Sequence, residues 1–333
     1  MLDLPGAVAT PDDSPDAASV PVARRVAWHY GDPLGEQRRL EAGEGFVDLS
    51  QREVVRIAGP DRLTWLHTVT SQHVTDLAPG VWTEALVLSP NGHVEHHLFL
   101  VDDGEAVWAH VEPGTSAALI DYLATMKFWS DVEVADVTDA FAVVWRPGTD
   151  GFAGGGYELV PRAELADWAA VHGPAAGLWA FEALRVAAGR ARHLRETDHR
   201  TIPHEVGWIG VAVHLDKGCY RGQETVARVQ NLGQPPRRLV LLHLDGSAPD
   251  LPASGDDVVL DDRVVGFVGS VAQHHELGPI ALAVVKRKVP VDAALTVRTK
   301  AGVDVAAAQD PAPPPRPGPI RAVTAAQAEA ATG

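Results

Sequence analysis

One cysteine, Cys219, in 333 residues excludes an intrachain disulfide and any zinc site built from several cysteines. It also leaves the chain without the thiolates that an ordinary iron–sulfur cluster requires. Basic residues are scarce: 28 Lys and Arg against 44 Asp and Glu give a formal net charge of −16. A general nucleic-acid surface, which needs clustered cations, is therefore not expected, and binding to an anionic membrane surface is disfavoured for the same reason. The first residues lack a basic head followed by an apolar core, so no secretory signal is read there. No apolar run approaches the roughly 20 residues of a membrane span. A cytoplasmic protein is the simplest expectation. Nothing matches a Ser-His-Asp triad, a phosphate-cradling P-loop or a dinucleotide fingerprint, and no internal repeat is found.

What is present reads as an α+β protein in three parts. Residues 1–22, rich in Pro, Asp, Ser and Ala, read as a flexible tail. Residues 23–146 read as an N-terminal α+β domain: strands at 46–50 and 53–57, a helix opening at Gly59-Pro60-Asp61, a hairpin of 84–88 and 97–101 turning at Pro90-Asn91-Gly92, a helix over 115–127, and strands at 131–134 and 141–145. Residues 147–235 form a middle α+β region with loops at Pro147-Gly148 and Gly154-Gly155-Gly156, helices near 162–172 and 177–189, and an aperiodic stretch over 190–222. Short strands from 236 to 306 suggest a small C-terminal β-barrel, and the Ala/Pro-rich residues 307–333 are expected to be disordered.

The chain is organised around Lys217-Gly218-Cys219-Tyr220-Arg221-Gly222-Gln223-Glu224. Two glycines allow a tight turn, and the residues from Gln223 to Val229 read as a helix closed by Gly233 and Pro235-Pro236. Cations two residues to either side of Cys219 and a helix N-terminus just beyond it favour the thiolate over the thiol. The plainer alternative is a half-buried cysteine on a structural turn. Arg185, Arg190, Arg192, Arg195 and Arg200 precede this stretch, so an acidic chain gathers its cations near it.

The segment from Lys217 to Arg228, together with Thr201-Ile202-Pro203-His204-Glu205, resembles the signature of the YgfZ-type folate-binding proteins, relatives of the glycine cleavage T-protein, an aminomethyltransferase. The resemblance runs from about residue 45 to about 290. It implies a T-protein-like fold, in which two α+β regions form a folate cavity beside the barrel, and tetrahydrofolate or a derivative as ligand. It also implies a role in assembling or repairing iron–sulfur clusters, with iron–sulfur proteins or cluster carriers as partners.

A pterin offers an amino group and a ring N–H side by side, which one carboxylate can accept, and its glutamate tail is anionic. The resemblance assigns Glu205 to the pterin. Lys217, Tyr220, Arg221, Arg185, Arg192 and Arg228 are the remaining candidate ligand residues, and Cys219 is the reactive thiol. Tyr220, Trp179 and Trp208 can stack on a flat ring, though such residues more often pack in a core. At the positions of the T-protein's Asp-Asp pair this chain has His96-His97, which argues against aminomethyl transfer. His93 and His97 could share a strand face, but no further metal ligand is visible. Three functions compete: a folate-dependent factor for iron–sulfur proteins, a folate-dependent aminomethyltransferase, and a folate-binding scaffold without chemistry.

Overall fold

The computed structural model describes residues 1–148, 151–248 and 250–311. A five-stranded antiparallel sheet has the order Trp82–Leu88, Val94–Asp102, Ala106–Val111, Glu53–Ala58, Glu133–Asp136. Helices Arg62–Val69 and Ser116–Thr125 cover one face. There Leu66, Leu119 and Leu123 pack on Ile57, Leu98 and Val107. Full burial of each such side chain contributes about 1.5–3 kcal/mol.

A second sheet has the order Gly151–Pro161, Phe141–Gly148, Phe46–Asp48, Ala175–Ala176; its last pair is parallel and the others antiparallel. Helix Leu178–Ala187 lies against it, with Phe181 and Leu184 packed among Val47, Val143 and Trp145. The boundary read at 146/147 thus falls inside a strand. The Gly154-Gly155-Gly156 loop is likewise strand: a Cβ on Gly155 would lie 2.3 Å from the Trp145 ring, so glycine is needed there to let the indole pack.

The barrel is closed by six antiparallel strands in the order Arg237–Leu244, Gly278–Lys286, Arg263–His274, Asp257–Leu260, Leu295–Arg298, Asp304–Pro311, the last pairing back with the first. Residues 307–311, read from composition as disordered, complete the ring; their alanines are small enough for the barrel wall, where Ala307 is buried. Residues 312–333 lie outside the described chain. The expected tail over 1–22 is also corrected. Val8–Ala9 pairs with Ala27–His29, and Thr10, Ala17 and Val20 are buried against the body. Helix Pro33–Glu41, capped by the Asp32 carboxylate accepting from Gly35 N at 2.9 Å, had no counterpart in the sequence reading. Among the described residues no helix is long and apolar enough to cross a membrane.

Candidate functional site

The signature turn is locked from both sides. Gly222 has φ +83°, and a Cβ there would meet Ser89 O at 2.6 Å and Gly92 Cα at 2.9 Å. Gly218, by contrast, has open space where a Cβ would stand. Cys219 is exposed, and among the described residues its thiol has no hydrogen-bond partner. The two flanking cations do not turn to it. The Lys217 ammonium is buried and donates to the carbonyls of His67, Thr70 and Gln72, closing the C-terminus of helix Arg62–Val69. Loss of water pulls its pKa down to about 8. Arg221 pairs with Glu95 at 3.1 Å and covers the Tyr122 ring at 5.4 Å. The activation read from flanking charge is therefore revised: both cations are spent on tying the turn to the first sheet and its helix. Tyr220 is buried beneath Lys217, whose ammonium lies 5.1 Å from the ring centroid, and burial raises the phenol to about 12.

Glu205 is no lone acid. It lies on the short 3-10 turn Pro203–Val206, where Oε1 accepts from Arg237 Nε at 2.8 Å. Oε2 accepts from Arg237 Nη2 at 2.7 Å and from Ile202 N at 3.2 Å. Arg237 opens the first barrel strand and also pairs with Asp198 at 2.6 Å. Burial favours the Asp198 acid form, but hydrogen bonds from Arg237 overcome it and hold the carboxyl well below its usual range. Thr201 and Glu205 therefore join the signature region to the barrel. Thr201 O accepts from Val94 N at 2.9 Å, so this clasp and the Arg221–Glu95 pair both meet the start of strand Val94–Asp102.

A polar interior that the sequence reading missed lies where the first sheet, the second sheet and helix Leu178–Ala187 converge. Glu84 accepts from His97 Nε2 at 2.9 Å and from Arg190. Burial opposes its charge, but the Arg190 guanidinium and His97 keep the carboxyl at about 2. Arg192 donates to Glu112 at 2.7 and 2.9 Å and stands 2.7 Å from Asp16 and 3.1 Å from Glu182. Arg52 Nη1 lies 3.2 Å from His110 Nδ1, and its guanidinium sits 5.4 Å from the Phe99 ring and 5.5 Å from Tyr157. His110 stacks on Phe99 at 4.8 Å, and burial, then Arg52, push its pKa well below 6.5. The neutral ring accepts from Arg52 at Nδ1 and so carries its hydrogen on Nε2, which is buried without a partner. The signal available in sequence was a charged or imidazole side chain inside otherwise apolar strand windows, such as Glu84 within Trp82–Leu88.

Of the remaining candidates, Arg185 is saturated. It donates to Glu182 at 2.7 and 3.0 Å, to Ser270 Oγ at 2.6 Å, to Glu196 at 3.4 Å and to Arg190 O, leaving no free N–H for a ligand. Arg228 is exposed and pairs with Glu224 one turn back at 2.9 Å. Trp208 packs on the His97 ring at 4.4 Å, and Trp179 stacks on Trp28 at 5.8 Å. His93 sits in the 89–93 turn and does not share the strand with His97. His96 faces away from His97, and burial lowers it to about 4.

Glu41, His274 and His275 also converge. His275 Nε2 lies 2.5 Å and His274 Nε2 3.8 Å from the Glu41 carboxylate. His274 Nδ1 accepts from Glu276 N and Leu277 N, both at 3.2 Å, which leaves the ring hydrogen on Nε2, facing Glu41. A metal-bound imidazole needs the opposite tautomer, so this group reads as a clasp between helix Pro33–Glu41 and the barrel.

Comparison with known proteins places this architecture. Residues 237–314 match the glycine cleavage T-protein C-terminal barrel domain. The solved aminomethyltransferase T of Bartonella henselae superposes with a TM-score of 0.75 over 94% of this chain and 95% of that one, at 18% identity. The chain is 24% identical over 257 residues to a mitochondrial iron–sulfur cluster assembly factor IBA57 homologue of Pyricularia oryzae, and 26% identical over 280 residues to a chloroplastic protein of Arabidopsis thaliana named as a transferase. Those matches take in 66% and 69% of this chain, which spans only 63% and 62% of the respective relatives. It is 32% identical over 305 residues to the aminomethyltransferase of Geobacillus kaustophilus, covering 76% of this chain and 82% of that enzyme. With about four fifths of that relative spanned at 32% identity and the fold and barrel in agreement, the chain belongs to the glycine cleavage T-protein superfamily.

Proposed function

We propose that this protein binds tetrahydrofolate or a derivative and serves, in the manner of the YgfZ-type proteins, as an accessory factor in the assembly or repair of iron–sulfur clusters in the cytoplasm. The observation that carries the reading is the presentation of Cys219. The sole thiol of the chain is exposed on a turn held rigid by Gly222 against Gly92, Lys217 against the helix end, and Arg221 against Glu95. One thiolate cannot hold a cluster, so the cluster is cargo, and the other ligands belong to a client or carrier.

The groups gathered in the interior are of the kinds that a flat heterocycle with an anionic tail would use. Phe99, Tyr157 and His110 offer ring faces, His110 Nε2, Arg52 Nε and both amide atoms of Gln51 are buried without partners, and Arg190, Arg192 and Arg195 supply cations nearby. Such orphaned polar atoms are ready to bond a ligand. Glu205 remains the candidate pterin acceptor, working with Arg237 behind it. Bound tetrahydrofolate would supply one-carbon chemistry; the residues of this chain bind and orient it.

Aminomethyl transfer is the second reading, carried by the 32% identical relative. It is the weaker one. At the positions matched to the family's acidic pair, His97 is tied to Glu84 and His96 is held neutral by burial, so neither replaces a free carboxylate. A scaffold without chemistry is the third.

Calorimetry with tetrahydrofolate tests the first half of the proposal: micromolar or tighter binding is expected, weakened by Glu205→Gln, and absence of binding removes it. Cells lacking the protein test the second half. If Cys219→Ala restores full iron–sulfur enzyme activity, the thiol has no role and the scaffold reading stands. Release of methylene-tetrahydrofolate from an aminomethyl donor would establish the transferase instead.

A further inference from the structure

The segment from Thr10 to Val20 has the composition of a tail, yet its one buried carboxylate sits among the arginines of the interior. Asp16 Oδ1 lies 2.7 Å from Arg192 Nη2 and 3.0 Å from Arg195 Nη2. Burial opposes the Asp16 charge, and the two arginines overcome it and hold the carboxyl below its usual range. Among the described residues, Asp16 is the only acid paired with Arg195, whereas Arg192 keeps Glu112 and Glu182 as well. The segment that brings Asp16 there contains no helix or strand between Ala9 and Val22. It is a chain of single turns, with Ser14 N bonded to Pro11 O, Ala17 N to Ser14 O and Val20 N to Ala17 O, pressed on the body by Ala17 and Val20. Such turns open at far lower cost than a sheet or a packed helix.

We propose that this arm is a built-in pseudo-ligand: Asp16 occupies the Arg192–Arg195 anion subsite in the empty protein, and the carboxylates of a folate glutamate tail displace it. The inference rests on the folate reading above and adds how that site is gated. Withdrawing Asp16 alone leaves the largely buried Arg195 guanidinium unpaired, which is unfavourable, so the arm stays closed without a ligand. Exchange of one carboxylate for another removes that penalty. The site then discriminates between ligands with and without an anionic tail, because only the former can compensate Arg195 once Asp16 has left.

Hydrogen exchange on the full-length wild-type chain tests this, with tetrahydrofolate triglutamate and with tetrahydropteroate, which lacks glutamate. The triglutamate is expected to raise exchange over residues 11–20, and tetrahydropteroate to leave it unchanged. Calorimetry on Asp16→Asn gives a second reading: affinity for the triglutamate rises about fivefold or more, the usual lower range of a coupling between two sites, while affinity for tetrahydropteroate is unaltered. If the triglutamate binds with the arm still protected and with equal affinity for both proteins, the gate is refuted and the folate reading survives. If neither compound binds, both fail together.

Discussion

Gly222 and Gly92 meet backbone to backbone: a Cβ added to Gly222 would lie 2.9 Å from Gly92 Cα, and one added to Gly92 would lie 3.3 Å from Gly222 O. Both have positive φ, at +83° and +78°. This contact seats the cysteine-bearing turn on the hairpin of the first sheet.

Gly222→Ala is expected to destabilise the protein by about 1–3 kcal/mol, since the strained φ and the clash with main chain both act. Gly218→Ala, which meets open space, is expected to stay within about 0.5 kcal/mol of wild type. Urea denaturation of both variants checks the contrast; equal losses would show that the turn is not held by this contact.

Arg237 carries two carboxylates from the 198–205 segment onto the barrel. Arg237→Met leaves the buried Glu205 carboxylate uncompensated and is expected to cost about 3–5 kcal/mol. Adding Glu205→Gln to that variant recovers part of the loss, because the stranded charge is gone. Strict additivity of the two single losses in a double-mutant cycle would show that the pair is not coupled.

Acid weakens the fold through buried imidazoles. Burial is the leading cause that lowers His96 and His193, each to about 4, from 6.5. Between those values the unfolded chain binds more protons than the folded one, so stability falls as pH drops from about 6.5 toward 4. Glu84, held at about 2, adds a further loss as pH falls below its unfolded value of 4.5. Denaturant midpoints at pH 7.5, 6 and 5 should decline steadily, and His96→Gln should flatten the decline. A midpoint constant over this range contradicts the assignment of these histidines as buried and neutral.

In the native protein at pH 8, an aromatic disulfide reagent is expected to label one thiol per chain without denaturant, because Cys219 is exposed. Under the same conditions Lys217 should resist acylation until the chain is unfolded, since its amine is buried against three carbonyls. Native-state labelling of Lys217 at the rate of surface lysines would mean that the turn opens readily.

Much of the architecture could be read locally. Helix Gln223–Leu232 between its glycines, the hairpin at Pro90-Asn91-Gly92 and the alternating barrel strands all carry their signal in neighbouring residues. The strand Gly151–Pro161 and the arm 10–20 were misread because composition is a local quantity, and each gains its order from a distant partner: Trp145 over Gly155 in one case, Arg192 and Arg195 around Asp16 in the other.

By itself the chain determined where its single thiol stands, that its cations crowd between 185 and 228, and that an α+β body ends in a barrel, because spacing, turn chemistry and periodicity are written in order along it. Only the tertiary structure decided which charges face one another. Lys217 and Arg221 turn from Cys219 toward His67 and Glu95, Glu205 acquires Arg237, and Asp16 reaches Arg195 across 179 positions. A buried charge takes whichever opposite charge folding brings within hydrogen-bond reach, and that choice depends on distance through space, which sequence separation does not encode.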